Sequence, residues 1–126
     1  MVWIDEVSSY DSAQGECFVE LKANAPYFSS HGLRGTSLIE FIAQGFGYIS
    51  AAHARSTPGS KKLTRAFLVG VTNFEATDLQ SLIPGTHLLI RITNIRPMGP
   101  ISLLDGQVMT TDGALVGKAS LKVYGE

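Results

Sequence analysis

Alternation of apolar and polar residues predicts two strands at the start of the chain. In 16–22, Cys17, Val19 and Leu21 fall on one face and mostly polar residues on the other, the period of two expected of a half-buried strand. A shorter apolar run at 2–7 comes before it, and turn residues separate the two. We therefore expect the first two strands to form a hairpin.

The second half of the chain predicts four more strands. They are expected at 66–74, 87–95, 101–110 and 115–124. Turn residues separate them at 84–85, 97–100 and 111–113. Asp112 and Gly113, between two alternating runs, are typical of a tight hairpin turn.

Between these groups of strands, one long helix is predicted from Ser37 to about residue 53 or 54. Its apolar residues leave little of the circumference polar, which is typical of a helix buried on most sides. Ser37 and Glu40 have the spacing of a capping box. Gly45 and Gly47 each cost roughly 1 kcal/mol relative to alanine inside a helix, which is tolerable if another backbone packs closely there.

The order of elements favours an α+β fold in one domain, 1–126. Helices and strands do not alternate, which argues against a parallel sheet. One antiparallel sheet curved around the helix would bury it, and pairing two copies would cover the remaining sheet edges. We therefore expect a homodimer or larger homo-oligomer.

Composition excludes several classes of function. The net charge is -1 without a basic run, so nucleic-acid binding has little support. The longest apolar stretch is interrupted by Glu40, Gln44 and His53, so no membrane span is expected, and the start of the chain is unlike a secretory signal. Cys17, the only cysteine, and Trp3 are interpreted as core residues. We expect no metal or cofactor and a reducing, cytoplasmic location.

The segment from Asn24 to Gln44 carries the candidate chemistry. It resembles the signature of the hot-dog 3-hydroxyacyl-acyl-carrier-protein dehydratases of fatty acid synthesis. The matching positions are Asn24, Pro26, Tyr27, Phe28, His31, Gly35, Glu40, Ala43 and Gln44. His31 and Glu40 are closer in sequence than the corresponding pair of that family, and Arg34 replaces a proline. This shortening resembles divergent dehydratase-like proteins of aryl-polyene pathways.

The resemblance implies a hot-dog fold, a substrate bound to acyl carrier protein, and a histidine of one subunit acting with the acid of the other. His31 would be the base, since a neutral imidazole titrates near neutrality. Glu40 would be the acid, because a carboxyl group in an apolar tunnel can keep its proton at pH 7. The Gly35 amide could meet the thioester oxygen. Phe28, Arg34 and Gln44 would complete the substrate site.

Other interpretations stay open at this point. Glu40 could be only the acid of the capping box. His31 could be an ordinary loop histidine, and Arg34 could be a solvated loop arginine. Gln44 could line the site or satisfy a buried backbone group. At the level of function, the alternatives are a hot-dog acyl thioesterase and a catalytically silent acyl-binding subunit, possibly paired with an active relative as a heterodimer.

Overall fold

A long helix and eight strands make up the described part of the chain, residues 3–29, 32–56, 66–77, 79 and 82–125 of a computed structural model. The first elements are β1 (Glu6–Tyr10), β2 (Gly15–Glu20), β3 (Phe28–Ser29), β4 (Gly32–Leu33) and α1 (Thr36–Ser56). The strands β5 (Ala66–Ala76), β6 (His87–Met98), β7 (Ile101–Thr110) and β8 (Leu115–Gly125) follow.

Six strands form one antiparallel sheet in the order β1-β2-β6-β7-β8-β5. The hairpin of β1 and β2 is confirmed, and β2 also pairs with β6 across the sheet. Strands β3 and β4 form a separate two-residue pair. Helix α1 packs on the sheet, contacting β1, β2, β6, β7 and β8. The predicted α+β hot-dog fold is confirmed.

Glycines of the sheet fix the position of the helix. A Cβ atom at Gly106 of β7 would overlap the side chain of Ile42. A Cβ at Gly117 of β8 would lie 2.5 Å from Leu38 Cδ1. Leu38 and Ile42 are one turn apart on α1 and fully buried. One stripe of the helix therefore packs directly on backbone, as close as the sheet allows.

Two predicted strand bounds differ from the structure, and strand pairing explains the second difference. Strand β1 begins at Glu6, later than the predicted run, whose first residue lies outside the described residues. Strand β6 continues through Pro97, which pairs with Ser102, so the turn is shorter than predicted. Because β2 pairs with β6 only as far as Ile92, Pro97 has a neighbouring strand on one side only, where a missing N–H is tolerated.

The other predicted turns are confirmed by backbone conformation. Gly85 and Gly113 have φ values of 93° and 97°, which favour glycine. Within the described ranges, no helix is both long enough and apolar enough to cross a membrane.

Candidate active site

Tyr27 attaches the loop that precedes helix α1 to the start of the helix. Its side chain is buried, and its hydroxyl oxygen accepts a hydrogen bond from the Lys22 amide at 2.7 Å. The Tyr27 carbonyl oxygen accepts hydrogen bonds from the Arg34 amide at 2.8 Å and from Ser37 Oγ at 3.4 Å. His31, the predicted base, lies outside the described residues. The described residues on both sides of it are thus held against the helix.

An aromatic cluster joins the first described residues, the loop and the helix. The ring centroid of Trp3 lies 5.0 Å from that of Tyr27 and 5.4 Å from that of Phe41 of α1. Phe28, a predicted substrate contact, is half-buried with its ring centroid 5.4 Å from that of Tyr27. Edge-to-face geometry of this kind stabilises packed rings. The described structure therefore places Phe28 in the packing that supports the loop.

Glu40 and Gln44 lie one turn apart and are hydrogen-bonded. Gln44 Nε2 donates to Glu40 Oε1 at 3.0 Å, and Gln44 Oε1 accepts from the Trp3 amide at 2.9 Å. Glu40 is exposed in the single chain, and Gln44 is half-buried. Gln44 therefore satisfies a backbone amide, as one interpretation predicted, and it also contacts the predicted acid.

The predicted capping box is wrong. Helix α1 begins at Thr36, one residue before Ser37. The Ser37 amide donates to the Arg34 carbonyl at 3.0 Å, and Ser37 Oγ bonds the carbonyl of Tyr27. Since the Glu40 carboxylate is bonded to Gln44 instead, it does not cap the helix. This removes the structural explanation of Glu40 that the sequence left open.

Gly35 sits immediately before the helix, as the candidate oxyanion donor requires. Its carbonyl accepts the Leu38 amide at 3.1 Å. Its own amide makes no hydrogen bond within the described ranges, and free amides at a helix start favour negative charge. A Cβ at Gly35 would lie 4.0 Å from Phe74 Cζ of β5. The adjacent Arg34 is exposed, as a solvated arginine or a phosphate contact would be.

A shallow groove of about 330 Å³ follows the exposed face of α1 from Gln44. Gly47, Tyr48 and Ala51 form the rest of its lining. In the single chain, side chains and open space lie next to the two helix glycines. A Cβ at Gly47 would meet nothing within 4 Å, and the three nearest neighbours of one at Gly45 would be side-chain atoms of Ile90, Cys17 and Ile92. The groove is apolar and continues the helix face that carries Glu40, because residues three, four and seven apart share a face.

Strand β5 leaves one edge of the sheet open in the described part of the molecule. It pairs with β8 on one side, at the end of the strand order. Phe67, Leu68, Val69 and Phe74 are each between 39% and 53% exposed. An edge of this length with exposed apolar side chains is typical of a surface covered by another chain.

Sequence reasoning missed the part that Trp3 takes in the site. It interpreted Trp3 as packing, which its ring contacts agree with, but its backbone amide also bonds Gln44. No sequence pattern reports which backbone amide a glutamine will meet. The groove did have a signal, since Gly47 interrupts a helix that would be more stable with alanine.

Comparisons with known proteins agree with this fold. A family model described as ApeP-like, ApeP dehydratase, matches residues 1–126. A solved structure of the dehydratase heterocomplex ApeI:P from Xenorhabdus doucetiae superposes with a TM-score of 0.85 at 18% identity, covering 99% of this chain and 83% of that one. No curated protein sequence gives a significant match.

Two further structures share the fold. A hypothetical thioesterase with coenzyme A from Streptococcus pneumoniae has a TM-score of 0.72 at 11% identity, covering 96% of this chain and 84% of that one. The PaaI protein of the E. coli phenylacetic acid degradation operon has a TM-score of 0.69 at 14% identity, with coverages of 98% and 79%. At these identities, the likeness establishes the fold alone.

Proposed function

The chain belongs to the ApeP-like dehydratase family, and from that premise we propose that it eliminates water from 3-hydroxyacyl thioesters carried on acyl carrier protein. The product would be a 2-enoyl thioester. The observation that carries the proposal is the placement of Glu40. Its carboxylate is hydrogen-bonded to Gln44, and Gln44 lies at one end of an apolar groove on α1.

This placement suits an acid that acts on a long apolar substrate. The positions from Glu40 to Ala51 span roughly 16 Å at 1.5 Å per residue. That length accommodates an acyl chain beside the helix, with the reacting carbons near Glu40. A covering subunit would exclude water from the groove and from the reacting groups.

The proposed reaction needs three groups. His31 takes the proton from the carbon next to the thioester carbonyl, and the electron pair of that bond forms the new double bond. The C–O bond of the 3-hydroxyl breaks as Glu40 gives it a proton, so that water leaves. The Gly35 amide donates to the carbonyl oxygen, on which negative charge develops. Exchange of protons with solvent restores both side chains.

The proposal includes a second subunit that covers the site. Strand β5 would pair through its open edge with the corresponding strand of another copy or of a related subunit. The solved structure of the dehydratase heterocomplex ApeI:P supports a related subunit as one form of this partner. His31 of one subunit would then act with Glu40 of the other.

A thioesterase is the second candidate. A carboxylate on the same helix could activate water while the helix start polarises the carbonyl. The shared fold of the coenzyme A-bound hypothetical thioesterase favours keeping this candidate in the test. A catalytically silent acyl-binding subunit is the third outcome.

The test is an assay of the protein with 3-hydroxyacyl thioesters of acyl carrier protein, alone and with a related dehydratase subunit. We expect enoyl absorbance to increase without release of thiol. His31→Ala and Glu40→Gln should each lower the rate by about 100-fold or more, the usual contribution of a general acid or base. His87→Ala and Glu6→Gln, both at exposed positions, serve as matched controls.

Three results would contradict the proposal. Thiol release without absorbance would indicate the thioesterase. Silence in both assays with retained acyl binding would indicate a non-catalytic subunit. Full activity of either the His31 or the Glu40 variant would refute the role assigned to that residue.

A further inference from the structure

The Trp3 amide determines which way the Gln44 side chain is turned. A backbone N–H can only donate, so the group that meets it at 2.9 Å must be the carbonyl oxygen of Gln44. The NH₂ group of Gln44 is then directed to the other side, where it donates to Glu40 Oε1 at 3.0 Å. Two successive hydrogen bonds thus connect the first described residue with the carboxyl group.

The Trp3 backbone is itself fixed from two directions. Its ring packs edge-on against Tyr27 and Phe41. Two residues further on, the Asp5 amide donates to the carbonyl of Phe18 in β2 at 2.9 Å. The Trp3 amide is therefore presented to Gln44 by packing on one side and by the sheet on the other.

This orientation distinguishes the two oxygens of Glu40. The oxygen that accepts the hydrogen bond from Gln44 must offer it a lone pair. In a protonated carboxyl group, the carbonyl oxygen is the one that serves as this acceptor. The acidic proton is thereby directed to Oε2. We propose that Trp3, through its backbone amide, and Gln44 are positioning residues that set which oxygen of Glu40 carries the transferred proton. This inference rests on the acid role of Glu40 in the proposed function.

The first arm of the test replaces Gln44. Gln44→Met keeps the length and removes both hydrogen bonds, whereas Gln44→Glu keeps an acceptor for Trp3 and loses the donor to Glu40. We expect kcat for dehydration to fall about tenfold in both, as for loss of one hydrogen bond to a neutral carboxylic acid, with KM within about twofold. Gln14→Met, at an exposed turn position, should retain the wild-type kcat. Full kcat in either Gln44 variant would overturn the proposal.

The second arm isolates the Trp3 amide from its ring. Trp3→Ala removes the ring and keeps the N–H, whereas Trp3→Pro removes both. We expect kcat of the proline variant to be about fivefold below that of the alanine variant, the effect of one hydrogen bond. Equal kcat values in two folded variants would refute the part assigned to Trp3.

A spectroscopic arm requires neither activity nor a folded proline variant. In the wild-type protein, the two side-chain amide protons of Gln44, assigned by their loss in Gln44→Met, should exchange with solvent several-fold more slowly than those of Gln14. Equal exchange would refute the fixed orientation. Absence of dehydration by the wild-type protein would refute the proposed function and the positioning role together. Activity with unchanged variants would refute the positioning role alone.

Discussion

The two faces of helix α1 differ in what completes them. On the sheet side, Leu38 and Ile42 lie directly over glycines of β8 and β7, where no side chain could fit between helix and strand. On the opposite side, Glu40 is exposed and Gly47 faces open space. The first face is closed by this chain alone, whereas the second has room for a further molecule.

This difference separates stability from function on one element. The closed face has the close packing of a protein interior, in which changes of a single methyl group are felt. The open face carries Glu40 and the lining of the groove, so we expect its residues to serve binding and chemistry. Substitutions on the first should change the free energy of unfolding, and those on the second should change activity.

Removing Phe41 should give the largest effect. Its side chain is fully buried and packs against Trp3 and Tyr27. We expect Phe41→Ala to lower the free energy of unfolding by about 3–5 kcal/mol, the usual cost of a large cavity, measured by urea unfolding at fixed protein concentration. Glu40→Gln, on the open face, should change it by less than about 0.5 kcal/mol. Similar losses in the two variants would abolish the distinction.

Two thiols can report the closure of each face directly. Burial raises the pKa of the Cys17 thiol to about 12, and Cys17 lies beneath Gly45 of the closed face. In an Ala51→Cys variant, the new thiol stands on the open face with a pKa near the usual ~8.5. At pH 8, the new thiol should react with iodoacetamide on the order of 1,000 times faster, given the two thiolate fractions.

Peptide mapping by mass spectrometry would give both rates in the same sample. In denaturant, the two thiols should react at similar rates, which provides the control. Comparable rates in the folded protein would show that the sheet side is as accessible as the other. A slower reaction at residue 51 upon addition of a subunit partner would show what covers the open face.

The sequence predicted the closed face better than the open one. Alternation in β2 placed Cys17 and Val19 in the core, because burial on one side leaves a period of two. The capping-box spacing of Ser37 and Glu40 was misleading, since the chain turns back to Tyr27 before the helix and supplies Ser37 with other partners. The contact of Gln44 with Trp3 depends on tertiary placement, which local patterns do not contain.

A methyl group added on the closed face should be destabilising. Gly106→Ala would force Ile42 to move, at a cost of about 1–3 kcal/mol for overpacking. Because the three nearest atoms to the added methyl group all belong to Ile42, Ile42→Val should recover part of the loss in the double variant, a coupling that a double-mutant cycle in urea detects. Strictly additive effects would argue that the helix does not rest on this glycine.

The same substitution on the open face should have the opposite sign. Gly47→Ala meets no neighbour within 4 Å, so it should stabilise the single chain by about 0.5–1 kcal/mol through helix propensity, seen as a higher urea midpoint. Because the methyl group enters the groove beside Tyr48, activity on long acyl chains should decrease relative to short ones. A loss of stability that grows with protein concentration would instead place a second subunit against Gly47, and the acyl chain would then need another path.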